Sequence, residues 1–219
     1  MKYFNALPRI TQNDTNNNTI LVNNLVSRCY FLPSLMKNVM LFYDYDIKEG
    51  DTPENIAYRY YNNSYRYWLL LYSNNIIDPQ SQWPLNNNIF DDHIFNKYKQ
   101  DASDYFDIPV STIQLYKVVE YTKLTTHHYE QKITIINSED LQRQVTTIIV
   151  DEDTYSSVFD YSEEYTFNDG TSLTKTMQRR IVSIYDYEYD LNESKRKIQI
   201  VKDSFVNEAE EKFQSLMRM

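Results

Sequence analysis

Few side chains in this sequence have the types and spacing that catalysis or metal binding requires. His127 and His128 are adjacent, so on a predicted strand they would point to opposite faces and could not chelate one metal ion. His93 stands beside Asp91 and Asp92, and we expect it in a solvated loop. With one cysteine and three histidines, the sequence holds no zinc-type spacing. We therefore expect neither a metal site nor a cofactor.

The acidic residues do not have the spacing of an acid–base pair. A calcium-loop-like run fails because Lys48 occupies a ligand position and Asn55 stands where a glutamate is needed. Glu163 and Glu164 are neighbours on a predicted strand and would face opposite ways. The acidic run 151–153 fits a hairpin turn better than a cation site. With two glycines, a glycine-rich phosphate loop is excluded, and no serine sits in a nucleophile elbow. These patterns predict a protein that is not an enzyme.

Charge and hydropathy exclude further classes of partner. The net charge of −9 argues against nucleic acid, which is bound by clustered lysine and arginine. No run of about 18 apolar residues could span a bilayer, and no signal-peptide pattern opens the sequence. The single cysteine, Cys29, cannot form an internal disulfide, which favours a reducing compartment. We expect a soluble, intracellular protein that binds neither nucleic acid nor membrane.

Aromatic content is high, with 21 tyrosines, 10 phenylalanines and 2 tryptophans. Tyrosine joins a large apolar ring to a polar tip, which suits surfaces that become buried only on assembly. The codon bias of an AT-rich genome would produce the same excess. Composition leaves both explanations open.

The first 112 residues predict an arm, a compact unit and a linker. Residues 1–40 are turn-prone and predict an irregular arm that becomes ordered against a neighbour. A domain over 41–90 starts with a strand at 41–47, and Thr52 and Pro53 then cap and open a helix. A second helix with an apolar face that includes Trp68 ends near residue 74. Residues 91–112 predict a polar linker, and one short helix is expected at 89–98, across the start of this linker.

The rest of the sequence predicts strands and a last helix. Residues 113–201 form a β-rich region in which apolar and β-branched residues recur at period two. The predicted strands are 115–121, 132–136, 144–150, 157–167, 173–177 and 181–189, with a hairpin turn at 168–170. Residues 202–219 predict an amphipathic helix with one apolar stripe, formed by Phe205, Ala209, Phe213, Leu216 and Met217. The fold class expected is α+β.

Two sets of residues carry a resemblance to known proteins. The first set is Glu49-Gly50-Asp51-Thr52, then Ile56-Ala57, then Asn74-Asn75. It resembles the LysM module, a strand–helix–helix–strand fold that often binds N-acetylglucosamine polymers such as peptidoglycan. The second set adds Tyr67-Trp68-Leu69-Leu70-Leu71, Asp78-Pro79, Trp83-Pro84 and the segment 192–201 with the helix after it. Together they resemble the LysM-containing baseplate wedge proteins of T-even-type contractile-tailed phages. Residues 100–190 show no matching motif.

The resemblance implies a late structural protein of the virion, assembled in the host cytoplasm into the tail baseplate. Such a subunit would join wedge proteins and neighbouring wedges around the hub by protein–protein contact. Its partners would be the inner wedge core proteins and the sheath-initiating wedge subunit, with several copies in a hexagonal assembly. We expect the partner-binding side chains among Trp83, Pro84, Tyr60, Tyr72, Phe205, Phe213 and Leu216. Of the two tryptophans, the helical spacing of Trp68 favours the core, whereas Trp83 fits core or interface equally.

Two alternatives come from other functional classes. One is a module that binds peptidoglycan or chitin oligomers. Glycan-binding LysM modules usually close with a Pro-Gly turn, whereas this chain has Trp83-Pro84-Leu85 and no glycine there. The other is a peptidoglycan hydrolase, which the lack of an acid–base pair disfavours.

Overall fold

The computed structural model of the chain describes residues 7–13, 15, 18–25, 40–138, 143–168 and 170–217. The chain divides into two compact units, Met1–Asn86 with Asn192–Met219 (unit 1) and Asn87–Leu191 (unit 2). Helices and antiparallel sheets are both present, which confirms the predicted α+β class. Cys29 and the apolar residues at 30–36 of the predicted arm lie outside the described residues.

Unit 1 begins with a two-stranded hairpin rather than an irregular segment. Strand β1 (Arg9–Asn13) pairs antiparallel with β2 (Thr19–Asn23), and Ile10 lies opposite Val22. Both strands are rich in β-branched residues, which favour extended backbone. The expectation of an irregular arm is therefore wrong for these residues. Its asparagine-rich centre includes residues 14, 16 and 17, which lie outside the described part of the chain.

The predicted strand–helix–helix order is confirmed in unit 1. In the helix that follows the strand at 42–46, the hydroxyl of Thr52 accepts a hydrogen bond from the backbone N–H of Asn55 (3.3 Å), and Pro53 takes the first helical position. The second helix ends before Asn74. The elements are β3 (Phe42–Asp46), α1 (Pro53–Tyr61), a 3₁₀ turn (Ser64–Arg66), α2 (Tyr67–Ser73) and α3 (Pro79–Gln82).

A strand from the far end of the sequence completes this unit. Strand β8 (Lys197–Val201) pairs antiparallel with β3, from Phe42 opposite Val201 to Asp46 opposite Lys197. Helix α8 (Asp203–Met217) follows it and confirms the predicted C-terminal helix. The core of the unit includes the fully buried side chains of Ile56, Leu69, Leu70, Ile200 and Val206. The sequence-based division had placed β8 in the β-rich region, apart from the unit whose core it fills.

The apolar stripe of α8 faces the core at four of its five predicted positions, namely Phe205, Ala209, Phe213 and Met217. Val206, Phe213 and Met217 are the buried side chains of the helix, at spacings of seven and four residues. Phe205 is half-buried, and Leu216 is 55% exposed. Of the predicted stripe, Leu216 thus lies outside the core.

Unit 2 contains a four-stranded antiparallel sheet in the order β5-β4-β7-β6. Its elements are α4 (Asn87–Phe106), α5 (Leu115–Leu124), β4 (Thr126–Asn137), β5 (Arg143–Val150), α6 (Glu152–Ser157), β6 (Tyr161–Thr166), β7 (Ser172–Ser183) and α7 (Ile184–Ser194). The last three residues of α7 belong to unit 1. The predicted hairpin turn between β6 and β7 is confirmed, with Gly170 at a φ of +86°.

The predicted linker and the first predicted strand are largely helical, and α4 contains the short helix expected at 89–98. Residues 87–106 form the long helix α4, in which Phe90, Ile94 and Ala102 are buried at multiples of four residues. Residues 115–124 form α5, which packs against α4 and buries Val118 and Thr122, also four residues apart. The apolar residues of 115–121 fit the period of a strand as well as that of a helix. Packing of α5 against α4 favours the helix.

The predicted strands 181–189 and 157–167 are each helical at one end. The predicted strand 181–189 stops at Ser183, where the hydroxyl accepts the backbone N–H of Asp186 (3.1 Å) and donates to its carboxylate (2.9 Å). This reciprocal pair caps α7. The run 151–153 is a helix start rather than a hairpin turn, because Asp151 accepts the backbone N–H of Thr154 (2.7 Å). The predicted strand 157–167 is extended over β6 alone.

Candidate interaction site

The closing strand of unit 1 is attached to α2 by an asparagine side chain. The backbone N–H of Gln199 donates to Oδ1 of Asn74 (2.7 Å), and Nδ2 of Asn74 donates to the carbonyl of Gln199 (2.7 Å). The same Nδ2 also donates to the carbonyl of Leu70 (2.8 Å), and the buried Ser73 hydroxyl donates to the Gln199 carbonyl (3.0 Å). The end of α2 therefore bonds to β8 in the way a neighbouring strand would.

A second asparagine holds the segment after α2 in the same manner. The backbone N–H of Leu85 donates to Oδ1 of Asn192 (2.7 Å), and Nδ2 of Asn192 donates to the carbonyl of Leu85 (3.1 Å). Asn192 is buried, and Lys195 donates to the carbonyl of Ser81 (2.9 Å). The segment that carries Trp83 and Pro84 is thus bonded to the end of α7 and to the residue after it, just before the closing strand.

Asp51 organises the loop between β3 and α1. Its carboxylate accepts hydrogen bonds from the Tyr45 hydroxyl (2.5 Å), the backbone N–H of Lys48 (3.1 Å) and the Arg59 guanidinium (3.0 Å). Its backbone carbonyl accepts the indole N–H of Trp83 (2.9 Å). Asp51 thereby links the loop to α1 and to the segment after α2.

Burial and hydrogen bonding act on the pKa of Asp51 in opposite directions. Burial favours the neutral acid and raises the pKa, whereas the bonds from Tyr45 and Lys48 and the charge of Arg59 favour the carboxylate. The hydrogen bonds and the charge prevail, so the pKa lies below its ordinary value of 3.8. Burial and the same carboxylate raise the pKa of Tyr45. The negative charge of Asp51 is thus balanced by Arg59, and the network holds the loop in place.

The predicted partner-binding residues differ in burial, and two of them are buried. Trp83 is half-buried on the core with its N–H bonded to Asp51, and Pro84 beside it is buried. Phe213 lies in the core, where its ring meets those of Trp68 (4.6 Å between centroids) and Tyr72 (5.8 Å). The core position expected for Trp68 is confirmed. Because Phe213 packs in the core of its own unit, its side chain is not available to a partner.

The other predicted residues differ in exposure. Tyr60 and Tyr72 are half-buried, and Tyr60 meets Tyr45 edge-on at 5.7 Å. Phe205 is half-buried on the core, and Leu216 projects from α8 with 55% of its surface exposed. Leu216 is therefore the predicted residue with the most surface to offer.

The two adjacent histidines come together, against the expectation from strand geometry. The register of β4 against β7 shifts between Thr126 and His128, so the side chains there do not alternate regularly. The Nδ1 atoms of His127 and His128 lie 2.8 Å apart, and Nε2 of His128 lies 2.9 Å from Glu130. Both ring nitrogens of His128 are thus engaged with protein neighbours. Within the described residues, no group of three or more His, Cys, Asp or Glu is arranged to hold a metal ion.

Sequence reasoning missed a buried carboxylate in unit 2. Glu188 on α7 is 4% exposed and accepts hydrogen bonds from Lys97 (2.6 Å) and Tyr98 (2.7 Å). His93, expected in a solvated loop, lies on α4 with Nε2 3.6 Å from this carboxylate. Burial alone would raise the pKa of Glu188, but these neighbours lower it on balance. The cluster joins α4 to α7, and the spacing of its members gave no sign of it.

Comparison with known proteins assigns no family: no family model matches the sequence, and no curated protein matches it significantly. In the described part of the chain, no helix has both the length and the apolar character needed to cross a membrane.

Proposed function

We propose that the chain is a structural, non-enzymatic subunit of a contractile phage tail baseplate wedge. In this role it joins wedge proteins and neighbouring wedges around the hub by protein–protein contact. The proposal rests on the resemblance of residues 49–85 and 192–201, and one structural observation carries it further. These two segments, separated by the whole of unit 2, belong to one compact unit.

The placement of the unmatched residues supports the same proposal. Unit 2 spans Asn87–Leu191 and so contains the whole stretch 100–190 in which no motif matches the resemblance. Unit 1 alone contains both residue sets of the resemblance, held together by the side chains of Asn74 and Asn192. A resemblance confined to one folded unit is what a shared module with an inserted second unit would produce.

The surface of unit 1 offers contacts suited to a subunit of an assembly. Large apolar side chains are exposed on it at Tyr43, Tyr58, Tyr65, Ile77 and Leu216. Aromatic and aliphatic side chains of this kind are enriched at the centres of protein interfaces. The net charge of −9 favours protein partners over nucleic acid.

Composition of purified tails tests the proposal directly. Tails from the phage that encodes the chain are washed at high salt, and their proteins are quantified by mass spectrometry. We expect the chain in a fixed whole-number ratio to the other wedge subunits. Its absence from washed tails, or a ratio that varies between preparations, would contradict the proposal.

A matched pair of variants on α8 tests the contact surface. Leu216→Asp places a charge on the exposed apolar position, and Ser215→Asp places the same charge on the adjacent exposed position. If α8 meets a neighbour through Leu216, its variant enters tails less well than the Ser215 variant, while both fold equally. Equal incorporation of the two would remove Leu216 from the contact.

The glycan-binding alternative predicts a different result. Two backbone groups of the β3–α1 loop are already bonded to the chain itself, since the Trp83 indole donates to the carbonyl of Asp51 and the N–H of Gly50 donates to Asn86 (3.3 Å). These groups would have to be released before they could bind sugar amides. A titration with chitin hexamer, followed by tryptophan fluorescence, distinguishes the two functions. Saturable binding would favour the glycan module over a purely structural role.

A further inference from the structure

The outer strand of the unit 2 sheet has an apolar edge without charged side chains along most of its length. β5 is the edge strand next to β4, and its residues from 143 to 149 are all exposed. Val145, Ile148 and Ile149 are exposed by 46%, 44% and 69%, and Arg143 at its start is the one charged residue of the strand. Among the described residues, β5 has a strand partner on one side only. Such an edge presents backbone donors and acceptors to another strand.

The opposite edge of the same sheet is protected. β6 is also exposed, but it carries Glu163 and Glu164 in its centre. Their charges would repel a second strand of the same sequence, which is a usual protection of edges. Only one of the two edges is therefore suited to pairing with a like strand.

We propose that β5 pairs antiparallel with β5 of a second copy of this chain, about a twofold axis through Thr147. In this register Thr147 lies opposite itself, Val145 lies opposite Ile149, and Thr146 lies opposite Ile148. The twofold symmetry repeats the Val145–Ile149 pair on one face of the sheet and the Thr146–Ile148 pair on the other. Odd-numbered residues meet odd-numbered ones, so outward backbone groups of one strand face those of the other. Two four-stranded sheets become one continuous sheet.

Charge complementarity selects this register. It places Arg143 opposite Asp151 of the second copy, and the symmetry repeats this ion pair at the other end. Asp151 follows β5 directly and has extended backbone (φ −77°, ψ 168°), so it continues the line of the strand. Moving the axis to Thr146 would place Arg143 opposite Ile149 and Gln144 opposite Ile148. That register loses both the ion pairs and the apolar pairs.

The contact is modest in size, which sets the concentrations for its test. An interface built on one strand pair falls at the small end of specific interfaces, below about 1,200 Å². We therefore expect a reversible dimer at protein concentrations of roughly 1–300 μM rather than a permanent one. Sedimentation velocity of the full chain across this range measures it. A monomer at every concentration overturns the proposal, as does an open-ended polymer.

Thr147→Glu tests the axis while sparing the fold. Within the chain, Thr147 lies opposite Lys132 of β4, so the new carboxylate gains a cross-strand cation there. Across the axis it meets its own copy, and like charges in an interface oppose association. We expect the dimer dissociation constant to rise about tenfold or more. Ser162→Glu, on the same face of the sheet but on the opposite edge strand, is the matched control and should leave the dimer dissociation constant unchanged. Equal dimerisation of wild type and Thr147→Glu, or an equal loss in both variants, overturns the proposal.

Disulfide trapping reads the register itself. In a background with Cys29→Ser, Thr147→Cys places two thiols opposite each other at a Cα separation of about 4.5–5.5 Å, which a disulfide can bridge. We expect rapid disulfide-linked dimers from this variant, whereas Ile149→Cys crosslinks efficiently only when mixed with Val145→Cys. Preferential self-crosslinking of Ile149→Cys contradicts the register. Because these tests need no tail, dimerisation and the proposed baseplate function stand or fall separately.

Discussion

The side-chain amide of Asn74 forms a paired set of hydrogen bonds with both backbone groups of Gln199, each 2.7 Å long. An asparagine at the end of α2 thereby takes the place of a strand beside β8. The pairing connects parts of the sequence on either side of unit 2. It explains how a two-stranded sheet and two short helices close into one unit around Ile200, whose side chain is fully buried.

Removal of this amide should destabilise unit 1. Asn74→Ala leaves the N–H and carbonyl of Gln199 without this partner at a half-buried site, which lowers the unfolding free energy by about 1–3 kcal/mol. Both tryptophans of the chain, Trp68 and Trp83, lie in unit 1. Urea unfolding followed by tryptophan emission therefore measures this unit separately. Asn55→Ala, on the exposed side of α1, is the control and should change stability by less than about 0.5 kcal/mol.

Unit 1 should fold without unit 2. Because the amide of Asn192 bonds to the backbone of Leu85, the two ends left by removing residues 87–191 lie close together. A flexible linker of about 4–6 residues can join them. We expect a soluble protein with a cooperative tryptophan-detected transition. Extending the deletion through β8 removes Ile198 and Ile200 from the core and should abolish that transition. A shortened chain with β8 that does not fold would contradict this division.

The sequence predicts local structure well where one residue governs it. Thr52 and Pro53 identify the start of α1 because capping depends on neighbours within one turn. The pairing of Phe42 with Val201 was not predictable, since nothing in either strand specifies a partner so distant in sequence. Residues 115–124 form α5, which packs against α4, and the local period of the sequence cannot reveal such a contact.

The candidate site was predicted less well than the fold. Phe213 was expected to bind a partner because it belongs to an amphipathic stripe, but the core of unit 1 uses it instead. A stripe alone does not distinguish a face that packs internally from one that awaits another protein. The Ser183–Asp186 cap of α7, by contrast, follows a local pattern and could have been identified from the sequence.

Two substitutions on α8 should separate core from surface. Phe213→Asp buries a carboxylate against Trp68 and should destabilise unit 1 by about 4 kcal/mol or more. Leu216→Asp changes an exposed side chain and should remain within about 0.5 kcal/mol of wild type. Urea unfolding monitored by tryptophan emission gives both values. Similar stability of the two variants would show that Phe213 does not fill the core.

Acid should weaken unit 1 through Asp51. In the folded chain its pKa lies below the ordinary 3.8, because bonds from Tyr45 and Lys48 and the charge of Arg59 outweigh burial. A carboxyl whose pKa is lowered by folding adds stability that is complete above its unfolded pKa. That stability is lost as the pH falls from about 4 through the folded pKa. We expect the tryptophan-detected unfolding free energy to decline in this range.

Two variants assign the acid effect to this carboxyl. Asp51→Asn removes the titrating group, so the unfolding free energy should be lower near neutral pH and should fall less steeply below about pH 4. Tyr45→Phe removes a hydrogen bond that lowers the pKa of Asp51 and should flatten the curve in the same direction. Both variants are measured by urea unfolding at a series of pH values beside the wild type. Parallel curves for all three proteins would show that Asp51 is not responsible, because only a change in slope identifies the group that binds the proton.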